Sequence, residues 1–330
     1  MTDMTTAAAG VTLHNALDGD ESRTLADDAR EGLARPFKEL PPKHLYDTRG
    51  AELFEQICEL PEYYPTRLER SILERVAPDV IAATAAGELV ELGSGSAAKT
   101  RLLLDAMAAA GTLRRFVAID VTEQAVRDSA AALIQEYPGL EVHGLIGDFE
   151  RHLDHLPPAR EPRLLAFLGG TIGNFLPGAR LRFLTQVAAL LRPADHLLIG
   201  TDLVKDRAVL EAAYDDSAGV TAAFNLNMLH VLNRELGADF DPAAFSHVAL
   251  FDEDQAWIEM RLRSSRAQDV VLPAIDMNVS FAEGEELRTE VSAKFTRERV
   301  AAELEAAGLE LLAWYTDPSD WFALSLARRV

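Results

Sequence analysis

From Glu88 onward the apolar positions follow two alternating rhythms. Short apolar runs at Leu89–Leu92, Phe116–Asp120, Glu141–Gly147, Leu164–Leu168 and Leu197–Thr201 are separated by longer stretches. Three of these stretches, Lys99–Ala110, Glu123–Glu136 and Leu181–Leu191, repeat their apolar residues three and four apart. The short runs predict buried strands and the spacers amphipathic helices. Strands this apolar, alternating with helices, predict a parallel, doubly wound sheet covered on both faces. The pattern returns at the end of the chain, where Thr296 is placed to cap a helix over Arg297–Ala307. Strand patterns follow at Leu309–Tyr315 and Trp321–Leu326.

The flanking segments read differently. Residues 1–12 are small and polar, as in a flexible tail. Leu13–Leu33 has helical spacing, and the two prolines of Leu40-Pro41-Pro42 interrupt regular structure. Helices are expected over Ala51–Leu60 and Leu68–Thr84, with the aromatic loop Glu62–Arg67 between them. After Asp202 a largely helical stretch, Arg207–Asn233, breaks near Gly219. It is followed by antiparallel-looking runs at His247–Phe251, Ala256–Arg263 and Val270–Phe281. The simplest organisation is an α/β unit of residues 68–202 plus 295–330. A second, α+β unit of residues 13–67 plus 203–294 would leave a substrate cleft between the two.

Charge narrows the partners. With 53 acidic and 32 basic residues the net charge is -21, spread along the chain. Phosphate backbones and anionic lipid are poor partners for such a surface, so neither nucleic acid nor a membrane is expected. Cys58 is the single cysteine, which excludes an internal disulfide and a thiolate metal cluster. In its apolar helical setting it reads as a small packing residue. No apolar stretch approaches the length of a membrane span and no leader pattern precedes the fold, so a cytoplasmic monomer is expected. His152-x-x-His155 lacks a third ligand and reads as surface. No metal site is expected, and no Gly-x-Ser-x-Gly nucleophile motif occurs.

The candidate chemistry begins at Val90-Glu91-Leu92-Gly93-Ser94-Gly95-Ser96, a glycine-rich turn after a predicted strand. Glycine there allows a sharp turn and close approach of backbone to ligand. Gly93-x-Gly95-x-x-Ala98 alone would also suit a nicotinamide or flavin site, which leaves an oxidoreductase open. The next two strands each end in an acid. Asp120 is placed to hold ribose hydroxyls, and Asp148 to accept from an adenine amino group with Phe149 against the ring. Two acids with no phosphate-binding group suit S-adenosylmethionine, whose sulfonium is a cation, and Glu91 would repel a pyrophosphate. Lys99, opening the following helix, could pair with that molecule's carboxylate. Gly169-Gly170-Thr171-Ile172-Gly173-Asn174 follows the fourth strand, on the sheet edge where ligands bind. Asn174 could hold a polar group of an acceptor there.

Several long motifs together carry a family resemblance. They are Leu60-Pro61-Glu62-Tyr63-Tyr64-Pro65-Thr66-Arg67, the turn at Gly93, Gly169–Asn174, Gly200-Thr201-Asp202-Leu203-Val204-Lys205-Asp206, Tyr214–Asn225 and Thr289-Glu290-Val291-Ser292. From about Leu40 onward the chain resembles the L-histidine Nα-methyltransferases of ergothioneine biosynthesis. The resemblance implies a class I SAM-methyltransferase, Rossmann-like doubly wound sheet with a second, α+β substrate-binding domain. It implies S-adenosylmethionine as methyl donor, L-histidine as small-molecule substrate, and three methyl transfers giving hercynine. By the same resemblance Gly93, Lys99, Asp120, Asp148 and Phe149 bind the cofactor. Tyr63, Asn174, Tyr214, Glu290 and Ser292 bind histidine, with Asn174 and Tyr214 on its carboxylate. Tyr46, Phe54, Gly169, Thr221 and Met260 line the pocket, and Tyr46, Tyr63 and Gly169 are the expected catalytic residues. The spacing agrees for one pair: Glu290 and Ser292 are two apart, so on an extended segment both face one way and can meet the two nitrogens of an imidazole. Another amino acid, such as tryptophan, is the alternative acceptor, although an indole offers a single donor. A binding protein without catalysis is the remaining reading.

Overall fold

The computed structural model describes residues 10–17, 24–94 and 99–330. The first half of the chain forms β1 (Val11–Asn15), α1 (Leu25–Leu33), β2 (Lys38–Glu39), α2 (Thr48–Glu59), α3 (Pro65–Thr84), β3 (Glu88–Leu92), α4 (Thr100–Ala109), β4 (Arg115–Asp120), α5 (Glu123–Glu136) and β5 (Glu141–Ile146). It continues through β6 (Arg163–Phe167), α6 (Pro177–Leu190), β7 (His196–Asp202), α7 (Arg207–Tyr214), α8 (Val220–Leu236), β8 (Phe245–Asp252) and β9 (Trp257–Ser264). The last elements are β10 (Gln268–Leu272), β11 (Met277–Phe281), β12 (Glu286–Ala293), α9 (Arg297–Ala306), β13 (Leu309–Thr316) and β14 (Phe322–Arg329).

Eight strands make one sheet in the order β1-β5-β4-β3-β6-β7-β14-β13. It is parallel from β1 to β7 and antiparallel at β14 and β13. Period-two alternation divides its residues between two cores. Leu89, Phe116, Ala118, Leu164 and Ala166 pack under α3, α4 and α5. Val90, Val117, Ile119, Leu165 and Phe167 pack with Phe183 of α6 and Val300 of α9. Each such side chain taken fully out of water contributes about 1.5–3 kcal/mol. Strand order reverses at β3, whose neighbours are β4 and β6, so the crevice above its carboxyl end is the natural ligand site.

A second sheet runs β2-β12-β9-β8, with the hairpin β10–β11 apart from it. Its core is shared with α1, α2, α7 and α8. The two sheets meet where the turn Thr171–Asn174, just past β6, lies against β12. Any Cβ at Gly173 would sit 2.9 Å from Ala293 O, so glycine permits that approach.

Three expectations change. Leu13–Asn15 does not begin a helix but belongs to the edge strand β1, parallel to β5. Its alternating register is hidden in a run too short to show period. Of the expected tail, residues 1–9 lie outside the described residues, while Val11 and Thr12 belong to β1. Val270–Phe281 is two strands rather than one, because Pro273 opens a 3-10 turn and Asp276 takes a left-handed φ of 49°. Among the described residues no helix is long and apolar enough to cross a membrane.

Candidate active site

A cleft of about 1890 Å³ opens above the carboxyl ends of β3–β6 and extends to β12. Gly93 follows β3 with a φ of +71°, the left-handed region that glycine tolerates. Gly95, Ser96 and Ala98 of the motif lie outside the described residues. Ser94 Oγ is buried at the cleft with no hydrogen-bond partner among the described residues, a polar atom left for a ligand. Asp120 ends β4, and its Oδ1 accepts the Thr122 amide at 2.9 Å. Asp148 follows β5, with Oδ1 accepting the Glu150 amide at 2.9 Å. Its own amide donates to His152 Nδ1 at 2.9 Å. His152 is therefore a buried brace for that turn, not the surface residue its charged neighbours suggested. Phe149 is held edge-on by Phe167 and Phe183, with centroids 5.2 and 6.1 Å away. A Cβ built on Gly93 would be 3.6 Å from the Phe149 ring, so turn and ring share one wall. A bare glycine turn, an orphaned hydroxyl, two strand-end acids and an aromatic face fit an adenosine with no phosphate.

Glu91 changes the argument about phosphate. Burial pushes its carboxyl up to about 8, so near neutrality it carries its proton and has little charge with which to repel anything. Its Oε2 accepts the Thr100 hydroxyl, which places it as a prop for the turn. Lys99 reaches the cleft but is ion-paired with Glu69 of α3, a carboxylate with no exposed surface. Glu69 also accepts the Gly169 amide at 2.8 and 2.9 Å. Gly200 has no Cβ to collide with that carboxylate. Glu69 thus fixes both the lysine and the glycine loop.

At the other end, β12 presents Glu290 and Ser292 on one face, as their spacing predicts. They pair in register with Met260 and Ile258 of β9, after an irregularity between Arg288 and Glu290. Asn174 donates through Nδ2 to Val291 O at 2.8 Å and to Glu290 Oε1 at 3.2 Å. Tyr214 donates to Ser292 Oγ at 2.8 Å. Behind them lies a buried chain of charges. Lys294 bonds Tyr214 and Ser292, both at 2.9 Å, and Asp202 at 2.8 Å; Asp202 also holds Lys205 and accepts from Tyr64. The two ammonium groups keep Asp202 below the usual carboxylate range.

Aromatic rings wall the space between the two ends. Tyr46 meets Phe54 and Phe224, each at 5.4 Å, Phe54 meets Tyr63 at 6.0 Å, and Tyr63 meets Tyr214 at 6.4 Å. Thr221 and Met260 are buried in the same lining. Burial raises the Tyr46 and Tyr63 phenols, which therefore stay protonated at neutral pH. Such a wall suits a cation carrying methyl groups, because ring faces attract it and water is kept out.

Burial pushes Glu290 up to about 7, against the opposing pull of Asn174 and Lys294. The folded state then holds this proton more tightly than the unfolded chain. The stability it contributes is full below the ordinary carboxylate range and is lost as pH rises through about 7. Glu290→Gln should therefore melt above the parent protein at pH 8 and close to it at pH 5. The widening between the two pH values is on the order of 2 kcal/mol, read by thermal unfolding of the ligand-free protein. An equal difference at both pH values would rule out the buried acid as its source.

All the residues expected at the site line this cleft, and several unexpected ones join them. Phe224 lies within a motif already noted but is not polar enough to draw attention. Glu69 had a legible signal, being an acid on the apolar stripe of α3 beside Leu68, Ile72 and Leu73. Lys294 had one too, a lysine in the otherwise small and apolar run Val291–Phe295.

A family described as "Histidine-specific methyltransferase, SAM-dependent" matches residues 25–329. A "Histidine N-alpha-methyltransferase" of Mycolicibacterium smegmatis is 53% identical over 97% of this chain and 99% of its own. Its namesake in Mycobacterium tuberculosis is 51% identical with the same coverage. "Ergothioneine biosynthesis protein 1" of Neurospora crassa is 29% identical over 88% of this chain, which spans 33% of that longer protein. The family model covers nearly the whole chain, and the chain belongs to the histidine-specific, SAM-dependent methyltransferase family.

Proposed function

We propose that the protein methylates the α-amino group of L-histidine three times, yielding hercynine, the first step of ergothioneine biosynthesis. The observation that carries this reading is the Glu290–Ser292 pair, buried on one face of β12 and aimed into the cleft that the cofactor acids also line. The large sheet is the cofactor unit and the smaller sheet with its helices the substrate unit. S-adenosylmethionine, when bound, supplies an electrophilic methyl group.

This chain's residues do the rest. Asp120 takes ribose hydroxyls, Asp148 the adenine amino group, and Phe149 the ring face. Lys99 has three ammonium hydrogens and can share them between Glu69 and a ligand carboxylate. Glu290 accepts an imidazole N–H, which releases Asn174 from its longer bond to turn toward the substrate carboxylate beside Tyr214. Tyr46, Phe54, Tyr63 and Phe224 enclose the amine and exclude water as its methyl groups accumulate. Neutral phenols of Tyr46 and Tyr63 bond the amine's hydrogens or a water that takes its proton, and are not themselves bases. The amine, the Gly169 loop and the cofactor acids converge in one cleft, and alignment is the main demand of a displacement at sulfonium.

Mass spectrometry of the purified protein with histidine and S-adenosylmethionine tests the reading. The expected product is hercynine, with three equivalents of S-adenosylhomocysteine formed for each. A chain that leaves histidine untouched and methylates tryptophan instead would sink the substrate assignment.

A further inference from the structure

Two motifs of the sequence hold residues that the cleft itself does not use: Asn225, which closes Tyr214–Asn225, and Thr289, which opens Thr289–Ser292. Neither has exposed surface. Thr289 stands at the one place where β12 and β9 pair irregularly. Arg288 lies opposite Arg261 and Glu290 opposite Met260, so Thr289 is an extra residue with no partner in β9. Adjacent residues of β9 point to opposite faces of the sheet. In an uninterrupted strand Glu290 would share the face of Arg288, two residues before it, where Glu39, Glu259 and Arg261 form ion pairs. The bulge puts Glu290 instead on the face of Met260, buried in the cleft lining, and Ser292 follows it opposite Ile258.

The bulge is tied down by side chains alone. Thr289 Oγ1 and Asn225 Oδ1 are in hydrogen-bond contact, and of the two only the hydroxyl carries a hydrogen, so Thr289 donates. Met260 O is a longer second acceptor at 3.1 Å. Asn225 Nδ2 gives one hydrogen to Arg261 O at 3.0 Å and the other to His247 Nδ1 at 2.8 Å. A carbonyl can only accept, so Arg261 O fixes which way the Asn225 amide points. His247 Nδ1 then accepts, and the ring's hydrogen is on Nε2, which donates to Tyr214 O at 2.8 Å. The His247 side chain is 3% exposed, and burial holds it below the ordinary imidazole range, in the neutral form this chain requires. The contact is to the Tyr214 backbone and makes no demand on the phenol.

We propose that Thr289, Asn225 and His247 are positioning residues for the acceptor: one buried, uncharged chain pins the bulge that turns Glu290 and Ser292 into the cleft and, at its other end, holds the end of α7 that carries Tyr214. The inference rests on histidine being the substrate. The groups proposed for its imidazole and the group proposed for its carboxylate then sit at a fixed separation, and a ligand held at both ends has its amine placed. The three residues lie on α8, β8 and β12, so the chain crosses the second unit and leaves the cofactor strands alone. Fully satisfied buried polar networks of this kind make one arrangement unique rather than adding much stability.

A double-mutant cycle on the full chain tests it. Thr289→Val keeps the shape of the side chain and removes the hydroxyl. It should lower kcat/KM for histidine about tenfold, the scale of one buried hydrogen bond, with the affinity for S-adenosylhomocysteine within about twofold by calorimetry. Thr289→Ser keeps the hydroxyl and should return kcat/KM to within about threefold of the parent. In a Glu290→Ala background the same Thr289→Val change should cost about threefold or less, because the pin acts through Glu290. His247→Leu approaches from the other end and should show the same shortfall in a Tyr214→Phe background. Undiminished losses in both backgrounds overturn the inference, as does a loss of cofactor affinity in step with turnover. If one of the two variants does not fold, the other decides; if neither folds, the chain serves folding rather than substrate placement, which overturns it too. A wild-type protein that leaves histidine untouched overturns the substrate reading and this inference with it, whereas additive losses in an enzyme that methylates histidine overturn this inference only.

Discussion

Glu290→Ala should lower kcat/KM for histidine on the order of a hundredfold while leaving the affinity for S-adenosylhomocysteine within about twofold. The carboxylate is buried in the lining of the cleft, and under the proposed function it accepts an imidazole N–H there. A hydrogen bond to a charged group contributes about 1.5–3 kcal/mol, and removing one side leaves the ligand's N–H short of a partner. Asp120 ends β4 and Asp148 follows β5, both strands of the other sheet, so the geometry of these two acids has no reason to move. Calorimetry with S-adenosylhomocysteine, run beside steady-state kinetics with histidine, separates the two effects. Parallel loss of cofactor affinity and turnover would assign Glu290 a structural role.

Asp202→Ala should be the most damaging change to stability. This carboxylate is the shared counterion of Lys294 and Lys205, and Tyr64 donates to it as well. Removing one partner of a buried pair costs about 3–5 kcal/mol, because the charges left behind cannot reach water. For a chain of this size that corresponds to a fall in Tm of roughly 4–7 °C. Since Asp202 is held low, the pair's contribution is present above the ordinary carboxylate range and is lost as pH falls through the lowered value. The deficit of the variant should therefore be full at neutral pH and shrink in acid. A fall of less than about 2 °C would mean that water reaches the network.

Much of this arrangement is legible before any coordinates are known, for identifiable reasons. The parallel strands announce themselves because burial on both faces leaves uninterrupted apolar runs, and α9 begins where Thr296 caps it. Glu290 and Ser292 are readable as a pair because strand period is two. What escapes the sequence is whatever depends on partners distant in the chain. Glu69 meets Lys99 and Gly169 across 30 and 100 positions, and Lys294 meets Tyr214 across 80. Pattern shows that such a residue sits on a buried face but not which opposite charge awaits it. Short edge strands escape for another reason. β1 and β2 span five and two residues, too few to display a period, and pairing alone defines them.

The placement of β1 has a consequence for how the chain must fold. Its first residue pairs with Val142, so β1, the first strand among the described residues, has to wait for β5, which leads to Asp148. Until then the apolar residues of β1 have no sheet to join, and after β5 forms its outer edge stays open until β1 returns to it. Contacts this distant are slow to close and leave an unpaired edge exposed to other chains in the meantime. Pairing along Val11–Asn15 covers that edge, which makes β1 a guard against strand-to-strand association at β5.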